Sequence, residues 1–167
     1  MKKELISKLE QIYSDCLKLI GSITEEPLKV SGNVAIFSQS EQEHQLLSKF
    51  VKTIVKPSQN PNQKYFELNT PIVLNDSAVI THIYIRKHDT TEYGRYLGDI
   101  DFVVDPIIYK ELKSRVESGE FPNAVMYNRP GWDTIQVSSE EAKAVGYICT
   151  QEMAEKVRIK FDNLTNL

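Results

Sequence analysis

Two aspartates stand two positions apart in an apolar setting, Gly98-Asp99-Ile100-Asp101-Phe102. Side chains alternate along a strand, so both carboxylates leave one face while Ile100, Phe102 and Val104 leave the other. Such a pair can hold Mg²⁺ for phosphoryl transfer. It can equally accept hydrogen bonds from a guanidinium. A second polar face comes from His82, Tyr84 and Arg86, alternating with Thr81, Ile83 and Ile85. A third comes from Trp132, Thr134 and Gln136 against Ile135 and Val137, with Tyr127 and Arg129 just before a Pro130-Gly131 turn. Tyr65, Glu67, Asn33, Ala35, Tyr147 and Cys149 join the same side by the same alternation. Arginine offers paired donors to an anionic group, and Tyr and Trp wall off the apolar part of a ligand. The candidate ligand-binding set is therefore His82, Tyr84, Arg86, Asp99, Asp101, Tyr127, Arg129 and Trp132. No catalytic residue, metal ligand or cofactor is assigned.

Other chemistries have little to stand on. The chain has no Gly-rich phosphate loop, Cys-x-x-Cys, His-Glu-x-x-His or Gly-x-Ser-x-Gly. Cys149 reads as a small core residue, because no His follows it to activate a thiolate. Arg86, Lys87, His88 and Asp89 read as a solvated charge cluster between two halves of the chain. Asn163-Leu164-Thr165 matches a glycosylation triplet but carries no weight without a secretory signal.

The elements that must position these residues follow from periodicity. Leu5, Leu9, Ile12, Cys16 and Leu19 recur at helical spacing, predicting an amphipathic helix over about 3–20 that stops at Gly21. Its apolar stripe serves either the domain's own core or a dimer seam. Val34 to Phe37 reads as a strand. Ser40 caps a helix with Glu41 and Glu43 in its first turn, burying Leu46, Leu47, Phe50 and Val51. A short strand is expected near Thr53 to Lys56, then strands at Tyr65 to Leu68 and Val79 to Arg86 around a turn at Asn75-Asp76. The same order recurs. A strand at Asp99 to Val104 precedes a helix capped by Asp105 with Pro106 at its first position, carrying Ile108, Leu112 and Val116. Strands at Ala124 to Asn128, Trp132 to Val137 and Val145 to Thr150 follow, then a helix from Gln151 with Met153, Val157 and Ile159 or Phe161. A shift of about 66 positions lays Val34 on Ile100, Tyr65 near Trp132 and Ile80 near Val145. The expected fold is α+β: two paired βαβββ modules in a curved mixed sheet, its polar sides enclosing a cup, with an N-terminal helix and a short C-terminal helix. Residues 1–30 form the helix and linker. Residues 31–167 form one domain, with modules at about 31–88 and 98–150 and the last helix at about 151–164.

Composition agrees with a globular protein. The 167 residues are 41% hydrophobic and 26% charged, enough for an independent core. Lys plus Arg is 20 against 23 for Asp plus Glu, so the cation surplus that nonspecific nucleic-acid affinity needs is lacking. Two cysteines make no disulfide framework and fit a reducing, cytoplasmic setting. No apolar run nears the 18 or so residues of a membrane span.

The paired modules resemble the vicinal oxygen chelate superfamily, the fold of glyoxalases and extradiol dioxygenases, and within it the YecM-like branch. The matching phrases are Tyr65-Phe66-Glu67-Leu68-Asn69-Thr70-Pro71-Ile72 and Gly98-Asp99-Ile100-Asp101-Phe102-Val103-Val104, in an element order spanning about residues 30 to 150. The resemblance implies a ligand cup holding a divalent metal on His or Glu from the first and last strands of each module. Those positions here offer Asn33, Ala35, Asp99 and Asp101, then Tyr84 or Arg86 and Tyr147 or Cys149, which is not a His/Glu set. The carboxylate pair is expected to face Arg86 instead. The expectation is a metal-free small-molecule binding protein, its ligand anionic, with no nucleic-acid or membrane partner. Two alternatives stay open. Asp-x-Asp also resembles the metal-binding strand of nucleotidyltransferases, with Asp133 as a third carboxylate on what alternation makes the wrong face. The chain could also be an interaction protein that dimerises through its first helix around an inert cup.

Overall fold

The computed structural model describes residues 2–159. The last helix, expected over about 151–164, ends at Lys156, and Ile159 bridges to Gln63 instead; Phe161 and the Asn163 triplet lie outside the described residues. Seven strands form one curved sheet: β1 (Lys29–Phe37), β2 (Phe66–Val73), β3 (Val79–Arg86), β4 (Gly98–Val103), β5 (Ala124–Arg129), β6 (Trp132–Val137) and β7 (Ala144–Cys149). Their order across the sheet is β2-β3-β1-β4-β7-β6-β5. In each half the first strand runs parallel to the last, β1 with β3 and β4 with β7, while the preceding strand returns antiparallel. The halves join antiparallel at β1 and β4, where Val34 stands opposite Ile100. Two strand-helix-strand modules are thus related by a local two-fold through that pair.

The duplication is not uniform. The strand expected near Thr53 to Lys56 is reduced to a single bridge, Val55 to Leu68. The closing strands are also offset from the expected alignment. Ile83 lies beside Val34 and Gly146 beside Ile100, so these two are equivalent rather than Ile80 and Val145. Strand pairing tolerates little change in register, whereas the connections absorb insertions.

Each face of the sheet has its own layer. Val34, Ile36, Ile83, Ile100, Phe102, Ile135, Val137 and Ile148 point to the side that carries three helices. There α1 (Lys2–Gly21) lies across β4 and β7, burying Leu5, Leu9, Ile12, Cys16 and Leu19. The stripe that could have made a dimer seam is covered by the chain's own sheet. Helix α2 (Glu41–Val51) starts as expected, with Ser40 Oγ accepting from the Glu43 amide. It buries Leu47 and Val51, whereas Leu46, expected in the core, is 48% exposed. Helix α3 (Pro106–Glu117) starts on Asp105, whose carboxylate accepts from the Ile107 amide. It turns Leu112 and Val116 inward as expected, but with Tyr109 in place of Ile108, which is 44% exposed. The reason is Asp133, which projects to the helix side and takes hydrogen bonds from the Tyr109 hydroxyl and the Lys113 ammonium. The central strands are covered on both sides, so β7 is buried along its whole length.

Helix α4 (Gln151–Lys156) lies on the opposite side, against β1, β4 and β6. Its Thr150 cap accepts from the Met153 amide, so the helix begins immediately where β7 ends. Beneath it Ala35, Phe37, Tyr65, Tyr96, Trp132, Val145, Tyr147 and Val157 form a second, aromatic-rich cluster. No described helix is long and apolar enough to cross a membrane.

Candidate functional site

The second face is a cup. Its cavity measures about 410 Å³ and continues into a narrow recess at the base of the sheet. Asp99 and Asp101 lie at this base, 8% and 5% exposed, where β4 directs both inward as strand alternation requires. Asp101 is well held: Asn33 Nδ2 donates to its Oδ2 at 2.9 Å, and the same amide donates to the Ala154 carbonyl at 2.7 Å. Arg158 Nε completes this network by donating to Asn33 Oδ1 at 2.8 Å. Asp99 has less support, one hydrogen bond from the Tyr65 hydroxyl at 3.4 Å. Burial, then the neighbouring Asp101, push the Asp99 carboxyl up to about 7 despite the opposing pull of Lys64 and Arg129. Burial raises Asp101 as well, against Asn33 and the nearby cations.

Three cations line the cavity, and each lies on a pair of aromatic rings. Lys64 Nζ is 5.5 Å from the Tyr65 centroid and 5.3 Å from that of Tyr84. Arg86 Cζ is 4.8 Å from Phe37 and 4.7 Å from Tyr93. Arg129 Cζ is 4.5 Å from Tyr127 and 4.9 Å from Trp132. Stacking of this kind restrains a flexible cation and leaves its hydrogen-bonding edge for another partner. Arg86 already has one, Asp89, at 2.5 Å. Lys64 and Arg129 have no carboxylate within 4.0 Å among the described residues, and burial holds Lys64 below the usual range for an ammonium. Arg129 Nε and Thr134 Oγ1, both lining the recess, are buried without a hydrogen-bond partner among the described residues. Buried donors left in this state normally answer to water or a ligand.

Local structure explains how these groups arrive. The Lys64 and Tyr65 amides both donate to the Arg158 carbonyl, so the segment after α4 pins Lys64 over the cup. Gly131, at φ +78°, makes the tight β5–β6 turn that sets Arg129 directly opposite Trp132. Tyr93 comes from the connection between the modules, where a side chain at Gly94 would lie 1.8 Å from the Asp89 carbonyl oxygen. The Tyr93 and Tyr147 hydroxyls share a hydrogen bond of 2.6 Å, and Tyr147 donates onward to Gln136.

Of the residues singled out in the sequence, Tyr84, Arg86, Asp99, Tyr127 and Arg129 line the cavity, and Asp101 and Trp132 line the recess with Asp99 and Arg129. His82 does not line either. It is half-buried on β3 opposite Glu67, within hydrogen-bond reach of Thr81 and influenced by Arg158 and Glu67. Arg86 does not face the carboxylates as expected; they face Lys64 and Arg129, because Asp89 draws Arg86 away. Lys64 and Tyr93 were not singled out, and as loop residues they have no alternation to reveal them. Asp133 lies on the far side of β6, so it adds no third carboxylate to the cup.

The donor set does not fit the divalent metal that the family resemblance implies. Among the described residues no three His, Cys, Asp or Glu side chains come together as a metal would require. An ammonium and a guanidinium share the space with the two aspartates, and one of these is already bound to Asn33. Asn33→Ala should cost about 1–3 kcal/mol in urea unfolding, since it strips Asp101 of its donor and severs β1 from the α4 segment.

No protein-family profile matches the chain, and no curated protein matches it in sequence. Among solved structures it is similar to a structural-genomics protein, Protein EC4020, at 12% identity and a TM-score of 0.48, over 90% of this chain and 92% of that one.

Proposed function

We propose that this is a cytoplasmic binding protein for small organic anions, a metal-free relative of the glyoxalase-type proteins. The observation that carries the reading is the pair Lys64 and Arg129, facing one aromatic-walled cavity with no carboxylate within 4.0 Å among the described residues. Charged groups removed from water are normally paired, so an anion between them would complete the site. The tyrosines would cover an apolar or planar portion, and Thr134 and Arg129 Nε would supply hydrogen bonds at its inner end. Kinship with the vicinal oxygen chelate superfamily draws support from the doubled topology about the Val34–Ile100 pair.

The test is a thermal-shift panel of malonate, succinate and methyl phosphate against neutral counterparts such as succinamide. A ligand at about a hundred times its Kd stabilises the native state by about 2.7 kcal/mol. In a domain of this size that raises the melting temperature by roughly 5–10 °C. Trp132, the one tryptophan in the chain and stacked beneath Arg129, should change its emission in the same concentration range. Equal responses to anions and neutral analogues, or none, would count against the reading.

A further inference from the structure

We infer that the cup selects small organic dianions and takes up one proton on Asp99 as each binds. This rests on the anion-binding reading above and adds the charge of the ligand and its coupling to pH. The charge follows from the pairing. Asp89 neutralises Arg86, and the Asn33 network with Arg158 supports Asp101, which leaves Lys64 and Arg129 as two unpaired cations over one poorly held carboxylate. A dianion matches them only if Asp99 carries no charge.

The coupling follows from position. Lys64, Arg129 and Asp99 line the same cavity and the same recess, so an anion drawn in by the two cations lies beside the Asp99 carboxylate. Two negative oxygens in a site shielded from water cannot both stay ionised, and sharing a proton relieves the repulsion. The proton comes from solvent to a carboxylate oxygen of Asp99, and no covalent bond to the ligand forms or breaks. Asp101, beside Asp99 on β4, already disfavours its ionisation.

The tyrosines facing Asp99 do not compete for this proton. Tyr65 from the loop before β2, Tyr84 from β3, Tyr93 from the inter-module loop and Tyr147 from β7 are all raised by burial and stay neutral. Cys16, behind the sheet on α1, is raised as well. From β1, Ala35 stands opposite Asp99 and brings no charge. Arg158, after α4, acts on Asp101.

The probe is ethane-1,2-disulfonate, a dianion that does not itself titrate near neutrality. Calorimetric titration should show affinity falling about tenfold per pH unit between pH 7.5 and 8.5, the slope of one bound proton. Runs at pH 8 in buffers of different ionisation enthalpy should count close to one proton taken up. Ethanesulfonate, the monoanion, should bind at least about tenfold more weakly at pH 7. Succinate and methyl phosphate at pH 8 then separate carboxylate from phosphate ligands. Asp99→Asn should bind the disulfonate with an affinity that no longer depends on pH. Disulfonate binding with a flat pH profile in the wild type, or a slope that persists in Asp99→Asn, would overturn the inference while leaving an anion site in place. No binding of any of these anions at any pH would overturn both.

Discussion

Arg129→Ala should lower affinity for small organic anions by about 10- to 100-fold and erase the thermal stabilisation they give the wild type. A hydrogen bond to a charged group contributes about 1.5–3 kcal/mol, and each 1.4 kcal/mol is a factor of ten in Kd. Arg129 combines such bonds with a net charge in a cavity lined by aromatic rings, which places the loss toward the upper end. Folding should suffer much less. Among the described residues the guanidinium has no ion-pair partner and its Nε is buried without a hydrogen bond. Truncation therefore removes an unsatisfied donor along with the stacking on Tyr127 and Trp132. Urea midpoints close to the wild type, together with lost ligand response, are the expected pair of results. Arg129→Lys should recover part of the affinity, because it restores the charge but not the paired donors.

The second large effect concerns stability against pH. In an unfolded chain an aspartate titrates near 4, whereas Asp99 in the cup is raised to about 7. Between those values the folded protein holds a proton that the unfolded chain has released. Stability therefore falls as pH rises from about 4 to about 7 and stays lowered above that. Asp99→Asn removes this ionisation at little change in size. It should leave stability near the wild-type value at pH 4 and raise it at pH 8 by about 2–4 kcal/mol, measured by urea unfolding at the two values. A loss of stability at pH 8 would mean that ionised Asp99 supports the fold. A gain would mark the cup as a place where stability has been given up for binding, as is common at functional sites.

Strands whose residues alternate strictly were readable from sequence alone. Val79 to Arg86 and Trp132 to Val137 occupy the bounds their patterns predict, and they aim Tyr84, Arg86, Trp132, Thr134 and Gln136, though not His82, into the cup. The doubled order was readable for the same reason, since Ser40 and Asp105 both open helices with an ordinary cap. What escaped was set by tertiary contacts. Ile107, Ile108 and Tyr109 are adjacent and all largely apolar, so spacing could not choose among them; Asp133 chose Tyr109 by offering its hydroxyl an acceptor. Arg86 and Arg129 looked interchangeable until Asp89 claimed the first. Lys64 sits in a loop with no period, and the Arg158 carbonyl after α4, with the Tyr65 and Tyr84 rings, fixes it over the cup.

The most direct test is to locate an anion on the folded protein by two-dimensional NMR during a succinate titration. Binding in the cup predicts saturable shifts of amides along β4, β6 and β7 and of the Trp132 indole, all lost in Arg129→Ala. Shifts confined to the groove between α1 and β2, or no saturable shift at millimolar succinate, would contradict it.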